Sequence, residues 1–352
     1  MGIKTSTLPG DKVGMHSRVE EIENLLNLDS DDDVRVVGIY GMGGIGKTTL
    51  AHALYGSISN RFAGRCFIDD VNKSYKVDGP TEVQKQLLRQ TLNEENLQIW
   101  NHPMGSNLIQ TRLCQIKCLV VLDNVDKVEQ LGKLAMTREC LGRGSRIIVV
   151  SRDDRILKEH GADEVYKVQP LDYFDALQLF CRKAFKSDDI MSGYEGLTGD
   201  VLRYVGGHPL AIEVLGSSLY GREVSEWRSA LERLKENPRK DIMDVLRISF
   251  DGLEDPEKDI FLDIACFFDD ADEARLKKIL NFREFYPGIG LPVLIGKSLI
   301  TSSKYGSILM HDLLKELGKS IVREKSPKEP RKWSRLWDYK DVHNVISKSM
   351  VK

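Results

Sequence analysis

The feature that most restricts how this chain can fold is Gly41-Met42-Gly43-Gly44-Ile45-Gly46-Lys47-Thr48, a glycine, four residues, then Gly-Lys-Thr. It follows a β-branched run, Arg35–Tyr40, and leads through Thr49-Leu50-Ala51 into what reads as a helix. Glycines let a backbone wrap an anion with its N–H groups pointing inward, where side chains would obstruct. The helix behind such a loop presents unpaired N–H groups and the positive end of its dipole to the same oxygens. Gly41, Gly43, Gly44, Ile45, Gly46, Lys47, Thr48 and Thr49 are therefore the candidate phosphate-binding set. Lys47 supplies a mobile charge for the β and γ phosphates, and the Thr48 hydroxyl is a candidate Mg²⁺ ligand.

The rest of the N-terminal half agrees with a parallel sheet. Candidate strands are Arg35–Tyr40, Phe67–Val71, Cys118–Leu122, Arg146–Val150 and Val165–Val168, separated by helical stretches such as Glu82–Leu92. Strand–helix alternation implies parallel strands with helices on both faces, and the continuous apolar runs Leu119–Leu122 and Ile147–Val150 suit strands buried on both sides. Ser17-Arg18-Val19-Glu20 reads as a capping box ahead of a short amphipathic helix. After Pro170 the strands stop. Helices are expected at Asp172–Phe185, Tyr194–Val205, Pro209–Leu219, Val224–Leu234, Ile242–Phe250, Pro256–Phe267, Ala271–Leu280, Gly290–Ile295 and from Asp312 to about Val322, with a hairpin-like element around Leu299–Met310. The expected organisation is an α/β fold in modules: a linker at 1–12, a phosphate-loop nucleotide domain at 13–170, a helical domain at 171–238, and a winged-helix domain with a C-terminal extension at 239–352.

The 352 residues carry 51 Lys and Arg against 53 Asp and Glu, so there is no chain-wide charge to draw nucleic acid or an anionic membrane. No apolar run approaches the roughly 18 residues of a membrane span. Six scattered cysteines do not make a disulfide framework, and Cys114 and Cys118 read as buried reduced thiols, all of which points to an intracellular chain in the cytoplasm or nucleus. The start Met1-Gly2-Ile3-Lys4-Thr5-Ser6 fits the permissive myristoylation pattern, but the expectation is a plain chain start.

A phosphate loop needs an acidic strand end to complete its Mg²⁺ site, and Asp123 after Leu119–Leu122 supplies one. ATPases commonly place a second carboxylate next, to orient or deprotonate the attacking water. Here that residue is Asn124, which orients water but takes no proton. With Lys47, Asp123 and Asn124 as the candidate catalytic set, the expectation is weak hydrolysis at most.

From about Val13 to Ile346 the chain resembles the nucleotide-binding (NB-ARC) core of plant intracellular nucleotide-binding, leucine-rich-repeat immune receptors. The closest branch is the one bearing a Toll/interleukin-1-receptor-like domain. The resemblance rests on the phosphate loop and on Phe67–Val71, Gly144–Val149, Gly207–Ile212, Phe261–Phe268, Met310–Leu313 and Ser334–Trp337. It implies an ADP-bound resting state and an ATP-bound, homo-oligomerising active state, with Mg²⁺. It also implies an excised core lacking the N-terminal signalling domain and the leucine-rich repeats. Arg152 matches the family's sensor arginine facing the terminal phosphate, although Ser151 stands where threonines usually precede it. Pro209, with Leu210, matches the proline packing on adenine, and His208 replaces a usual leucine. Val13-Gly14 match the segment whose backbone recognises adenine, and no guanine signature occurs. His311 matches the histidine that touches the β phosphate of ADP, and Asp312 would then hold the local loop or cap the helix that follows it.

Two other readings fit parts of the chain: an ordinary phosphate-loop ATPase or small-molecule kinase, and a nucleotide-regulated winged-helix DNA-binding protein. The basic stretch Lys315–Lys340 bears on the second, but interspersed acids make it read as a solvated face, so nucleic acid is not the expected partner.

Overall fold

Val, Ile and Leu runs that cannot present a polar face to water must be covered twice, and the two continuous apolar runs form the two central strands, where every residue from Cys118 to Asp123 and from Arg146 to Ser151 is buried. The computed structural model describes residues 13–94, 96–236, 240–268, 270–303, 306–327 and 329–349. The chain divides into two compact units, one of 1–41 with 45–169, the other of 42–44 with 170–352. The expected linker at 1–12, the Met-Gly start and the module boundary at 238/239 lie outside the described residues.

The first unit runs α1 (Met15–Leu26), β1 (Arg35–Tyr40), α2 (Lys47–Ile58), β2 (Gly64–Ile68), α3 (Val71–Val77), α4 (Pro80–Leu92), α5 (His102–Leu113), β3 (Cys118–Val125), α6 (Val128–Lys133), β4 (Arg146–Ser151), α7 (Asp154–Glu159) and β5 (Glu164–Lys167). The five strands are parallel in the order β2-β3-β4-β1-β5. Strand alternation sorts their side chains. Val36, Ile68, Val120, Leu122, Ile147 and Val149 share one core cluster with Leu87 and Leu88 of α4, Ile109 and Leu113 of α5, and Leu157 of α7. The alternate residues Val37, Ile39, Val121, Ile148 and Val150 are equally buried, and α2, packed beside α1, covers β3 and β4 with Leu50, Ala51 and Leu54. The sheet thus carries helices on both faces.

At the amino edge of β4 sits Arg146, 1% exposed. Its guanidinium donates to the carbonyls of Leu26 (2.6 Å), Asn27 (2.6 Å), Ser30 (2.5 Å), Asp33 (3.0 Å) and Ser145 (2.9 Å), tying the segment after α1 to the sheet. A buried charge is tolerable only when its donors are satisfied in this way.

The second unit begins with α8 (Tyr173–Ala184), α9 (Glu195–Val205), α10 (Pro209–Leu219), α11 (Val224–Glu236) and α12 (Lys240–Asp251). Trp227 on α11 is 1% exposed, stacks on Phe185 and meets Phe180 and Tyr194 edge-on, while its indole N–H reaches the Leu219 carbonyl at 3.0 Å. A winged-helix arrangement follows: α13 (Asp255–Phe267), β6 (Ala271–Asp272), α14 (Glu273–Phe282), α15 (Pro287–Gly296), β7 (Thr301–Ser302), β8 (Ser307–Leu309), α16 (Asp312–Glu324) and α17 (Tyr339–Ser349). Its three short strands pair antiparallel in the order β6-β8-β7. Among the described residues no helix is long and apolar enough to cross a membrane.

Several local expectations are corrected. Strand β2 ends at Ile68, because Asp70 takes a left-handed backbone (φ 47°) and caps α3, its carboxylate accepting from the Lys73 N–H, so Val71 is helical. The proposed capping box fails, since α1 already begins at Met15 behind a left-handed Gly14 and Ser17 lies inside the helix. Ala271 and Asp272 form β6, and the Asp272 side chain caps α14. Cys118 is buried, but Cys114 is exposed. The basic C-terminal stretch is not a simple solvated face. The Arg323 guanidinium lies 5.3 Å and 4.8 Å from the ring centres of Trp333 and Trp337. Arg335 is 6% exposed and donates to Asp263 (2.6 Å) and Asp259 (2.8 Å).

Asp263 has no exposed surface and also pairs with Arg283. Removing one partner of a buried ion pair leaves a desolvated charge and costs roughly 3–5 kcal/mol. With Arg283 still in place, Arg335→Ala is expected to destabilise the second unit by about 3 kcal/mol in chemical denaturation. A loss under about 1 kcal/mol would mean that Arg283 alone satisfies the carboxylate.

Candidate functional site

Parallel strands all point their carboxyl ends one way, and the register decides what meets there. Tyr40 of β1 pairs with Ser151 of β4, and Ser151 pairs with Val125 of β3, past a register shift after Leu122. The residues that follow or end these strands, Gly41, Arg152 and Asp123-Asn124, thus gather at one edge, with β4 inserted between the other two strands. Ligands of open α/β sheets bind outside this edge, where the strand order reverses.

Gly46 caps α2 with φ 97°, a backbone that residues bearing a Cβ rarely adopt, and no atom lies within 4 Å of where its Cβ would stand. The first amides of α2 lack partners within the helix. Lys47 is buried and its ammonium donates to the Gly41 carbonyl at 2.8 Å, folding the side chain back across the loop. Burial, and then the Arg152 guanidinium, lower its pKa to about 7, opposed by the Asp123 carboxylate. The Thr48 hydroxyl lies 2.9 Å and 3.1 Å from the two Asp123 oxygens. Asp123 is 4% exposed, and burial raises its pKa against the pull of Thr48 and Lys47. A hydroxyl beside a carboxylate is a set of hard oxygen donors, which suits Mg²⁺. The open cradle and buried ammonium suit a phosphate chain.

Asn124 has a left-handed backbone (φ 55°) and donates through its amide to Asp70 at 2.7 Å. Asp70 was not singled out from sequence, yet after Arg152's own burial its charge has the largest effect on that guanidinium, ahead of Asp123. Ser151 is buried and donates its hydroxyl to the Val125 carbonyl at 2.8 Å, so it fastens β4 to β3.

Residues 42–44 of the loop pack with the second unit. The Leu210 N–H donates to the Gly44 carbonyl at 3.3 Å, and the His208 Nε2 lies 2.8 Å from the Gly43 carbonyl. Pro209 between them is the first residue of α10. A Cβ on Gly44 would stand 2.8 Å from His208 Cε1 and 2.9 Å from Leu210 Cβ, and Gly44 has φ 74°. Close approach of these side chains therefore demands glycine here, apart from any phosphate. His311 caps α16, with Nδ1 accepting from the Leu313 N–H (3.2 Å) and Nε2 3.3 Å from the Gly206 carbonyl. Its ring meets that of His208 edge-on at 6.1 Å. Burial holds its pKa below the ordinary histidine value. Val13 is buried and Gly14 heads α1. Ile45 is buried, whereas Thr48 and Thr49 are exposed.

The NB-ARC domain family matches residues 15–190, and the Roq1-like winged-helix domain of disease resistance proteins matches 254–326. The chain is 40% identical over 336 residues to disease resistance protein RUN1 of Vitis rotundifolia, covering 95% of this chain and 25% of that protein. It is 37% identical over 342 residues to TMV resistance protein N of Nicotiana glutinosa, covering 95% and 29%. The chain thus spans about a quarter of the length of the curated relatives it matches. Among solved structures, a Walker-type ATPase of Pyrococcus abyssi shares the fold, with a TM-score of 0.57 at 14% identity over 90% of this chain and 99% of that one.

The two glycines separate conformation from contact. Gly46→Ala meets only the left-handed backbone cost, roughly 1–2 kcal/mol. Gly44→Ala adds overlap with His208 and Leu210, and overpacking of this kind costs roughly 1–3 kcal/mol more. Thermal or chemical denaturation should therefore rank Gly44→Ala clearly below Gly46→Ala. Equal losses would contradict the close approach.

Proposed function

The chain belongs to the NB-ARC family, and on that premise we propose that it is the adenine-nucleotide switch of a plant disease resistance receptor, closed around ADP at rest and opened by exchange for ATP. The observation that carries this reading is the carboxyl edge of the sheet, where a phosphate loop, a buried ammonium and a Thr48–Asp123 pair converge while position 124 offers no proton acceptor. The glycine loop and the head of α2 would hold the phosphates, and Lys47 would balance their charge. Thr48 and Asp123 would hold Mg²⁺, which when bound neutralises phosphate oxygens. Arg152 would face the terminal phosphate, and Val13, Gly14 and Pro209 the adenine. His311 would sense the diphosphate from the winged helix. A charge-assisted hydrogen bond is worth roughly 1.5–3 kcal/mol, enough to shift a closed-to-open ratio by roughly 10–150-fold.

Asn124 supports slow turnover. Its amide is held by Asp70, and a carboxamide accepts no proton near neutrality. Opening would permit self-association, directed by the rest of the receptor chain. The resemblance of the receptors to those with a Toll/interleukin-1-receptor-like domain gives the expected neighbour on the N-terminal side and leucine-rich repeats on the other.

Purified without added nucleotide and then denatured, the protein should release close to one ADP per chain and turn over ATP below about 1 s⁻¹. An empty site together with faster turnover would favour an ordinary ATPase. Binding should also take up a proton. Without nucleotide Lys47 titrates near 7, and a bound diphosphate raises its pKa, so above pH 7 the neutral amine must gain a proton on binding. ADP affinity should fall as pH rises from 7 to 8.5, by at most about tenfold per unit. Calorimetry at pH 8 in two buffers of different ionisation heat should give an uptake above half a proton. No uptake would sink the assignment of Lys47 to the phosphates.

A further inference from the structure

We propose that His208 is a positioning residue for the phosphate loop, holding it through Nε2–H in a way that only the neutral imidazole can. The inference rests on the nucleotide reading above and concerns how the same site is regulated.

The two nitrogens of His208 have different partners, and those partners fix its tautomer. The Ala211 N–H points at Nδ1 (3.4 Å), so Nδ1 is the acceptor that caps α10. The proton therefore sits on Nε2, which donates to the Gly43 carbonyl at 2.8 Å. The side chain has no exposed surface, so water does not stand in for either bond. A second proton would have to go on Nδ1, directly against the Ala211 N–H, removing the cap and burying a charge. The leucine usual at this position in the resembling family would make neither bond.

His311 repeats the arrangement one step away. Its Nδ1 accepts from Leu313, its Nε2–H faces the Gly206 carbonyl, and its ring sits edge-on to His208. Gly206 and His208 are separated only by Gly207, so both rings act on one short turn, between α9 and α10. Asp312 and Lys315, both on α16, act on His311 in opposite directions. Tyr204 donates to Glu316 at 2.7 Å and holds α9 against α16 behind them. A proton added at Nδ1 of either ring would remove the cap that ring makes, on Ala211 for His208 and on Leu313 for His311.

The test uses the 352-residue chain loaded with a fluorescent ADP analogue, and reads its release rate between pH 7.5 and 5.5. His208→Leu should release about tenfold faster at pH 7.5, the equivalent of a hydrogen bond of roughly 1.4 kcal/mol. His208→Gln, whose Nε2 keeps a donor without a titration, should stay within about twofold of the unmutated chain at pH 7.5. On acidification the unmutated chain should speed up at least about fivefold more than His208→Gln. Equal rates for His208→Leu and the unmutated chain, or coincident pH profiles for the unmutated chain and His208→Gln, would overturn the proposal. Should His208→Leu fail to fold, the comparison of the two profiles decides alone. If the unmutated chain binds no ADP analogue at pH 7.5, the nucleotide reading falls and this inference with it.

Discussion

Everything at the candidate site depends on the register of β4. Because this strand is inserted between β1 and β3, the residues that leave the three strands are forced to one edge, and the pairing of Ser151 with both Tyr40 and Val125 sets how far each projects. A shift of a single residue would turn the buried runs Ile147–Val150 and Leu119–Leu122 onto the wrong faces, so the core on both sides enforces the arrangement at the edge. The hydroxyl of Ser151, bonded to the Val125 carbonyl, fixes the last step where the ladder of β3 becomes irregular. Chemistry at this edge is thus positioned by hydrophobic burial several residues away.

The second unit follows a different logic. Its helices are held by aromatic packing around Trp227 and, in the winged-helix part, by a buried acid with two arginines. The sequence blocks Phe261–Phe268 and Ser334–Trp337 are about seventy residues apart, yet they meet through Asp263 and Arg335. Arg335 also reaches Asp259, while Trp333 and Trp337 stack with Arg323 between α16 and α17. A pattern that looked like two independent signatures is one ion-paired contact.

Much of this was legible in the residues, and the failures have physical causes. Strand β1 and helix α10 were read with their observed bounds because an apolar run and a helix-starting proline are local signals. The start of α1 was misplaced because a serine three residues ahead of a glutamate imitates a cap, whereas the real start depends on Gly14 adopting a left-handed backbone. The end of β2 was misplaced for a similar reason, as Phe67-Ile68-Asp69-Asp70-Val71 looks strand-like until Asp70 turns. At the site, the loop, Asp123 and Asn124 were apparent from spacing. Asp70 and the contact of His208 with Gly43 were not, since both bring together residues far apart in the chain. Only the left-handed tendency of Asp and Asn, seen at both ends of the Asp70–Asn124 bond, gave any local hint.

Arg146 and Arg335 are both buried arginines, but their partners differ in kind. Arg335 is answered by carboxylates, whereas the five hydrogen bonds of Arg146 end on main-chain oxygens, with the Asp33 carboxylate farther off at 3.9 Å. Replacing Asp263 would therefore strand a buried guanidinium, whereas no single side-chain substitution removes the acceptors that hold Arg146.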